Sequence, residues 1–89
     1  MQGRRIYYNT TDDILGFANG DYGFDPKTNT WFARAPIGHL SDLSNHDVVE
    51  HEDGTITVSP SILVSGYDED KKEKTVWHGY LERGIWREV

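Results

Sequence analysis

The sequence contains no cysteine at any of its 89 positions. Disulfide-stabilised secreted scaffolds and zinc folds with thiolate ligands are therefore excluded. A chain of this length is expected to form one small domain, residues 1–89, with a thin hydrophobic core. Without cysteine, no disulfide or thiolate metal site reinforces that core. Association between copies is a natural supplement to such a core, so we expect a homo-oligomer.

Long apolar runs are also absent. No stretch reaches the roughly 20 apolar residues that a transmembrane helix needs. The first thirteen residues, MQGRRIYYNTTDD, lack the apolar segment of a secretory signal. These two absences predict a cytoplasmic protein with no membrane partner.

Basic residues are missing from the middle of the chain. All nine lysines and arginines lie at or before Arg34, or at or after Lys71. The intervening residues 35–70, here called the acidic window, hold eight of the fifteen acidic residues. Such a surface disfavours direct nucleic-acid binding, which depends on lysine and arginine, and attracts a basic protein surface. The alternative is that the window only keeps the chain soluble. The predicted protein-binding carboxylates are Asp47, Glu50, Glu52 and Asp53.

Antiparallel β structure is predicted by short runs rich in β-branched and aromatic residues, separated by turn signals. The predicted strands are 4–9, 13–18, 30–34, 55–59, 61–65, 75–81 and 85–89, and the predicted turns include 19–21, 24–29, 52–54, Pro60, 68–74 and 83–84. Residues 41–44 predict one helical turn capped by Ser41. The expected fold class is mainly β, a single small domain built as an antiparallel meander, roll or small sandwich with at most one short helical turn.

Aromatic residues are numerous, with three Trp, five Tyr and three Phe, more than a thin core holds. In strand 75–81, alternation places Trp77 on one face and His78 and Tyr80 on the other. A strand with aromatic rings on both faces predicts a central position in a sheet or a face covered by a second subunit. Trp31, Trp77 and Trp86 are expected in the core. If Trp77 or Trp86 is exposed, it becomes the anchor for a protein partner.

Histidines and carboxylates lie close together between His46 and Asp53, and both are ligands that zinc and manganese accept. His46, His51 and, through tertiary pairing, His78 are weak candidates for metal ligands. In a strand, however, His46 and His51 point to opposite faces, and their spacing is not specific. We therefore expect neither metal nor cofactor, and a metal-dependent enzyme is kept as an alternative.

A serine nucleophile is the other catalytic candidate. Ser59, Ser61 and Ser65 alternate with apolar residues, and His78 on a neighbouring strand is placed to reach one of them. The chain has no G-x-S-x-G elbow and no glycine spacing typical of a phosphate-binding loop. The hydroxyls beside Pro60 are better explained as partners of backbone groups at a strand break. Catalysis is therefore the less favoured class of function, and no catalytic residue is assigned.

The segments SPSILV at 59–64 and HGYLxxGxW at 78–86 form the most specific pattern in the chain. This pattern resembles a small family of uncharacterised proteins that are encoded mainly in phages and prophages and form a domain of unknown function. The resemblance covers residues 49–86. Many of the similar proteins carry a cysteine before the histidine, where this chain has Trp77. The resemblance implies a phage accessory protein in the cytoplasm of the host cell, and it implies no reaction.

These features together predict a small acidic phage-encoded accessory protein. It is expected to bind a host protein that has a basic surface, and to inhibit or sequester a host defence factor without catalysis. A virion or assembly component, a small-ligand sponge and a metal-dependent enzyme are the alternatives. The sponge would present an aromatic pocket and would hold a phosphate with arginines, namely Arg4, Arg5, Arg83 and Arg87.

Overall fold

The computed structural model describes residues 1–7, 16–67 and 69–89. The predicted mainly β fold is confirmed: eight strands form two four-stranded sheets, and no α-helix occurs in these ranges. The strands are β1 (Arg4–Arg5), β2 (Asp21–Asp25), β3 (Thr30–Arg34), β4 (Leu40–Asp42), β5 (Asp47–Glu50), β6 (Ile56–Tyr67), β7 (Glu73–Glu82) and β8 (Ile85–Glu88).

The two sheets differ in their connectivity. The first sheet has the order β1-β2-β3-β4, with β1 parallel to β2 and the other pairs antiparallel. The second sheet is an antiparallel meander in the order β5-β6-β7-β8. Its central strands have twelve and ten residues, whereas β5 and β8 have four residues each. The β6–β7 hairpin therefore extends beyond its flanking strands.

The N-terminal segment connects the two sheets. The amide of Gly3 donates to the carbonyl of Gly84, beside β8, over 2.7 Å. Three residues later, the amide of Ile6 donates to the carbonyl of Tyr22 on β2 over 2.8 Å. The same short segment thus supplies backbone hydrogen bonds to an element of each sheet.

One hydrophobic core contains side chains from both sheets. Trp77 and Trp86 belong to this core, with ring centroids 5.7 Å apart in an edge-to-face arrangement. The indole of Trp86 donates to the carbonyl of Gly20 over 2.9 Å, so its one polar atom is satisfied inside the core. The buried core residues are Tyr22, Ala33, Ala35, Leu43, Ile56, Val58, Ile62, Val64, Trp77, Leu81 and Trp86.

The alternation predicted for β7 is confirmed. Trp77, Gly79 and Leu81 are buried, whereas Val76 and Tyr80 are exposed on the opposite face. A period of two on a half-covered sheet gives this pattern. The expectation that Trp77 and Trp86 belong to the core is likewise confirmed, and Trp31 packs against the core while half-buried.

Residues 55–59 and 61–65 were predicted as two strands separated at Pro60, and that separation is wrong. They belong to the single strand β6, which pairs with β7 along most of its length. The Ser59–Pro60 peptide bond is cis, and the pairing register shifts between Val58 and Ile62. A bulge of this kind accommodates a residue that cannot donate to the ladder.

The N-terminal predictions were only partly correct. Of the predicted strand 4–9, Arg4–Arg5 form β1, residues 6 and 7 are not in a strand, and residues 8 and 9 lie outside the described residues. Of the predicted strand 13–18, residues 13–15 lie outside them, and residues 16–18 are not a strand. Sequence analysis also missed β2, because Asp and Gly are poor strand formers. The carboxylate of Asp21 stabilises this strand by accepting hydrogen bonds from Arg4 and from the amide of Ala18.

The helical turn predicted at 41–44 is also wrong. Residues up to Asp42 form β4 and pair with β3, and the carboxylate of Asp42 accepts the amide of Ser44 at the turn that follows. Pairing with a neighbouring strand therefore overrides the local capping signal. Two predicted turns, 52–54 and 83–84, do connect strands, and Arg83 and Gly84 have the positive φ values that a two-residue hairpin loop favours.

Candidate protein-binding site

Three of the four predicted protein-binding carboxylates come together at the β5–β6 turn. Glu50, Glu52 and Asp53 line an open depression of about 560 Å³, together with His51 and Arg83. Glu52 and Asp53 are exposed at the end of the turn. The turn thus presents carboxylates to solvent, which is the arrangement expected of a surface that attracts a basic group.

Hydrogen bonds within the turn fix the position of Asp53. Its carboxylate accepts the hydroxyl of Thr55 over 2.6 Å and the amide of Thr55 over 3.0 Å. These two donors hold the pKa of Asp53 below its usual range. Gly54 completes the turn with a φ of 86° and donates its amide to the carbonyl of His51. Asp53 is therefore both an exposed charge and a structural part of the turn.

Glu50 is held from the other sheet by Arg5. The guanidinium of Arg5 donates to the Glu50 carboxylate over 2.7 Å and to the carbonyl of Gly54 over 2.9 Å. The same guanidinium lies 4.4 Å from the ring centroid of Tyr7 and 4.7 Å from that of Trp31. The Arg5 side chain is only 14% exposed. Glu50 is thus engaged in a link between the sheets and is not a free charge.

In the folded chain, the charge around the acidic window is less negative than its own residues suggest. The window contains no basic residue, but Arg5 and Arg83 reach it from outside, one from each end of the chain. The amide of Arg83 donates to the hydroxyl of Thr57, which fixes the backbone of the β7–β8 turn beside the depression. Arginines from outside the window therefore lie beside its carboxylates. No local sequence signal relates either arginine to the window.

Asp47 does not join the other three carboxylates around the depression. It begins β5, opposite Ser59 of β6, and is exposed. The strand presents Asp47 and Val49 on its outer face, whereas Val48 packs against the core. The four predicted carboxylates therefore fall into two groups: three lie at the β5–β6 turn, and Asp47 lies apart from them on the edge strand β5.

An anchoring role for Trp77 or Trp86 required an exposed side chain, and neither side chain is exposed. They are 5% and 3% exposed, respectively, and lie in the core. Neither side chain is therefore placed to anchor a protein partner. Near the acidic residues, the exposed apolar side chains include Val49, at 56%, and Tyr7, at 74%.

The three candidate metal-ligating histidines are not brought together. Within the described ranges, no three His, Asp or Glu side chains converge as metal ligands. The Nε2 atom of His51 lies 2.7 Å from the hydroxyl of Thr57, and that of His78 lies 2.7 Å from the hydroxyl of Ser61. Two of the three histidines thus have a hydroxyl partner in place of a shared metal.

The Ser61–His78 contact fulfils the expectation that the histidine reaches one of the nearby serines. A histidine in this position can accept a hydroxyl proton, which is the first requirement of a serine nucleophile. The second requirement is a group that orients the base. No carboxylate in the described part of the chain hydrogen-bonds to the His78 ring. The pair is therefore a mutually satisfied polar contact on the sheet.

The four arginines of the ligand-sponge alternative do not surround a common pocket. Arg4 pairs with the buried Asp21 at 3.1 Å, and Arg87 pairs with Glu82 at 2.6 Å. Arg5 is engaged with Glu50, which leaves Arg83 without a salt bridge to any residue that the structure describes. A phosphate bound by Arg4, Arg5 or Arg87 would therefore have to displace an existing ion pair.

Comparisons of the chain with protein-family models, curated proteins and solved structures give no match. Among the described residues, no helix has the length and apolar character required to cross a bilayer.

Proposed function

We propose that this chain is a non-catalytic binding protein that engages a basic surface on another protein through the β5–β6 turn and the adjoining edge strand. The observation that carries the proposal is the exposed placement of Glu52 and Asp53 at the end of that turn, with Asp47 along β5. Charges in this position accelerate association with a surface of opposite sign, because the attraction acts before contact is made.

The edge strand itself favours recognition by side chains over strand addition. β5 is four residues long and lies at the edge of its sheet, with charged residues at both of its ends. Short, charged edge strands resist pairing with another chain. A partner is therefore expected to contact the acidic side chains, with Val49 as the adjacent apolar contact.

The resemblance to phage-encoded proteins extends this proposal to the partner's origin. On that basis the partner is a host protein, and binding inhibits or sequesters a component of host defence. The position of the carboxylates supports binding to a basic surface, and the resemblance alone supports the host partner.

The test is capture of partners from phage-infected host cells that express the tagged chain, followed by mass spectrometry. The captured partner's association rate is then measured for the wild type and for the double variant Asp47→Asn/Glu52→Gln. Both side chains are exposed and make no hydrogen bond or ion pair with any residue that the structure describes, so their neutralisation leaves the turn intact. We expect association to slow by about tenfold at low salt and its salt dependence to weaken.

A matched control has the same change in net charge elsewhere. Glu73 of β7 and Glu88 of β8 are exposed and lie outside the acidic window. The variant Glu73→Gln/Glu88→Gln should associate at the wild-type rate. Equal rates for both double variants would show that the acidic window only confers solubility, and recovery of phage structural proteins would favour the virion alternative.

A further inference from the structure

Strand β6 has a free edge along its second half. β5 pairs with β6 only as far as Ser59. Of the strands that the structure describes, none pairs with residues 61–67 on that side, and β7 pairs with them on the other side. The second half of β6 therefore has a hydrogen-bonded neighbour on one side only.

Backbone groups of alternate residues point to this free edge. The amide of Val89 donates to the carbonyl of His78, so the backbone of His78 is directed towards β8 and away from β6. Leu63 lies opposite His78. The two residues therefore form a pair without mutual hydrogen bonds, and the amide and carbonyl of Leu63 point to the free edge. The same direction recurs at every second residue of a strand, here Ser65 and Tyr67.

The free edge also carries no charge. Residues 54–67 are all uncharged, whereas the edge strands β1, β4, β5 and β8 each contain a charged residue. The other edge of the same hairpin, on β7, begins with Glu73 and Lys74. Charged side chains on an edge oppose pairing with another chain, and the free edge of β6 lacks them. Its backbone donors and acceptors fit another extended strand.

The side chains along this edge are arranged symmetrically about Ser65. Leu63 and Tyr67 lie two residues to either side of it on the same face of the strand, and they are 56% and 77% exposed. If the same strand of a second copy runs antiparallel with Ser65 facing Ser65, Leu63 of each copy lies opposite Tyr67 of the other. Both exposed apolar side chains then gain an apolar neighbour across the strands.

The opposite face of the strand is compatible with the same register. Val64 points into the core, and in this register it lies opposite Gly66 of the second copy. Because Gly66 has no side chain, Val64 meets no bulky group across the strands. A second copy therefore matches the free edge in hydrogen bonding, in the absence of charge and in the size of the side chains.

We propose that residues 63–67 of β6 pair antiparallel with the same residues of a second copy, forming a two-fold symmetric dimer. Three facing pairs supply about six backbone hydrogen bonds, two for each pair. The hairpin beyond β5 and β8 has two strands only, which is marginal in water, and in the dimer it becomes a ribbon in the order β7-β6-β6-β7. Two-fold symmetry requires a surface that complements itself, as this edge does.

The dimer does not depend on the proposed function. The acidic β5–β6 turn precedes β6, whereas the paired residues lie near the other end of that strand. The dimer is therefore tested with the purified chain alone, and a failure to dimerise leaves the proposal on the acidic turn unaffected.

Sedimentation velocity up to about 500 µM protein tests the proposal, since small interfaces are weak. We expect the wild type to approach twice the 10.2 kDa monomer mass. Ser65→Lys places two like charges face to face and should raise the dimer dissociation constant at least about thirtyfold. Val76→Lys is the matched control, because Val76 is 43% exposed on the other strand of the hairpin, and its dissociation constant should stay at the wild-type value.

Single-cysteine variants test the register, because the chain has no cysteine of its own. Two facing Ser65 residues have Cα atoms about 5.5 Å apart, within the range that a disulfide spans. The two Leu63 residues are four positions out of register, about 13 Å apart along the strand. Ser65→Cys should therefore form covalent dimers on mild oxidation at least about tenfold faster than Leu63→Cys.

Fluorescence of the buried Trp77 and Trp86 establishes that each variant is folded. A wild type that remains monomeric at about 500 µM would overturn the proposal, even if the chain pairs with a strand of a foreign protein. Equal oxidation rates of the two cysteine variants, or equal weakening by the two lysines, would overturn it as well.

Discussion

Arg5 and Glu50 lie 45 residues apart in sequence, yet their side chains are joined by a 2.7 Å ion pair that links the first sheet to the second. Arg5 lies against the rings of Tyr7 and Trp31, whereas half of the Glu50 side chain is open to solvent. The pair is thus asymmetric, with a largely buried cation and an accessible anion.

That asymmetry predicts unequal effects of substitution. Glu50→Gln keeps a hydrogen-bond acceptor for Arg5 and should lower the free energy of unfolding by about 1 kcal/mol. Arg5→Ala removes the ion pair, the bond to the Gly54 carbonyl and the contacts with two rings, and should lower it by about 3 kcal/mol. Urea denaturation measures both. Equal losses would show that the ring contacts contribute nothing.

Gly79 is required because of the Trp77 ring. A Cβ atom at this position would collide with that ring and with the carbonyl oxygen of Arg87 on β8. Gly79→Ala should therefore destabilise the chain by about 2 kcal/mol through overpacking. Gly16→Ala is the matched control, since a Cβ there meets no atom within 4 Å. Thermal unfolding of the two variants distinguishes a local steric requirement from a general effect of replacing glycine.

Asp53 should titrate at a lower pH than an ordinary aspartate, because Thr55 donates two hydrogen bonds to its carboxylate. A pKa that is lower in the folded state means that the carboxylate stabilises the turn fully above the ordinary value near pH 4. That stabilisation is lost as the pH falls through the lowered folded-state pKa. Carboxyl NMR titration measures it, and Thr55→Val should move the pKa upwards. An unchanged pKa in that variant would contradict the assigned cause.

Purified protein should contain less than one equivalent of zinc, manganese or iron. His51 and His78 each already have a hydroxyl partner, and no three ligands converge in the residues that the structure describes. Elemental analysis of protein purified without added metal is the measurement. One bound equivalent that is lost in His78→Ala would instead support a metal-dependent enzyme.

Sequence alone predicted the second sheet better than the first. Strands β6, β7 and β8 contain β-branched and aromatic residues in the alternation that a half-buried strand requires, so their periodicity is visible. β2 contains Gly23 between Asp21 and Asp25, and its stability comes from Arg4 and from pairing with β3. Such long-range partners leave no local pattern.

The candidate site shows the same division. The acidic window is a property of composition, and three of its four selected carboxylates do converge at one turn. The contribution of Arg5 and Arg83 was not predictable, because it depends on which chain segments the two sheets bring together. The sequence favoured burial of Trp77 and Trp86 over exposure, and both side chains are buried.

The N-terminal segment that contacts elements of both sheets also sets an order of events during synthesis. Gly3 is made before its partner Gly84, which follows about 80 residues later, and at typical elongation rates that takes several seconds. Gly3 must therefore remain without this hydrogen bond while the ribosome makes the second sheet. Closure between distant segments slows folding, so the native arrangement is completed only after β8 has emerged.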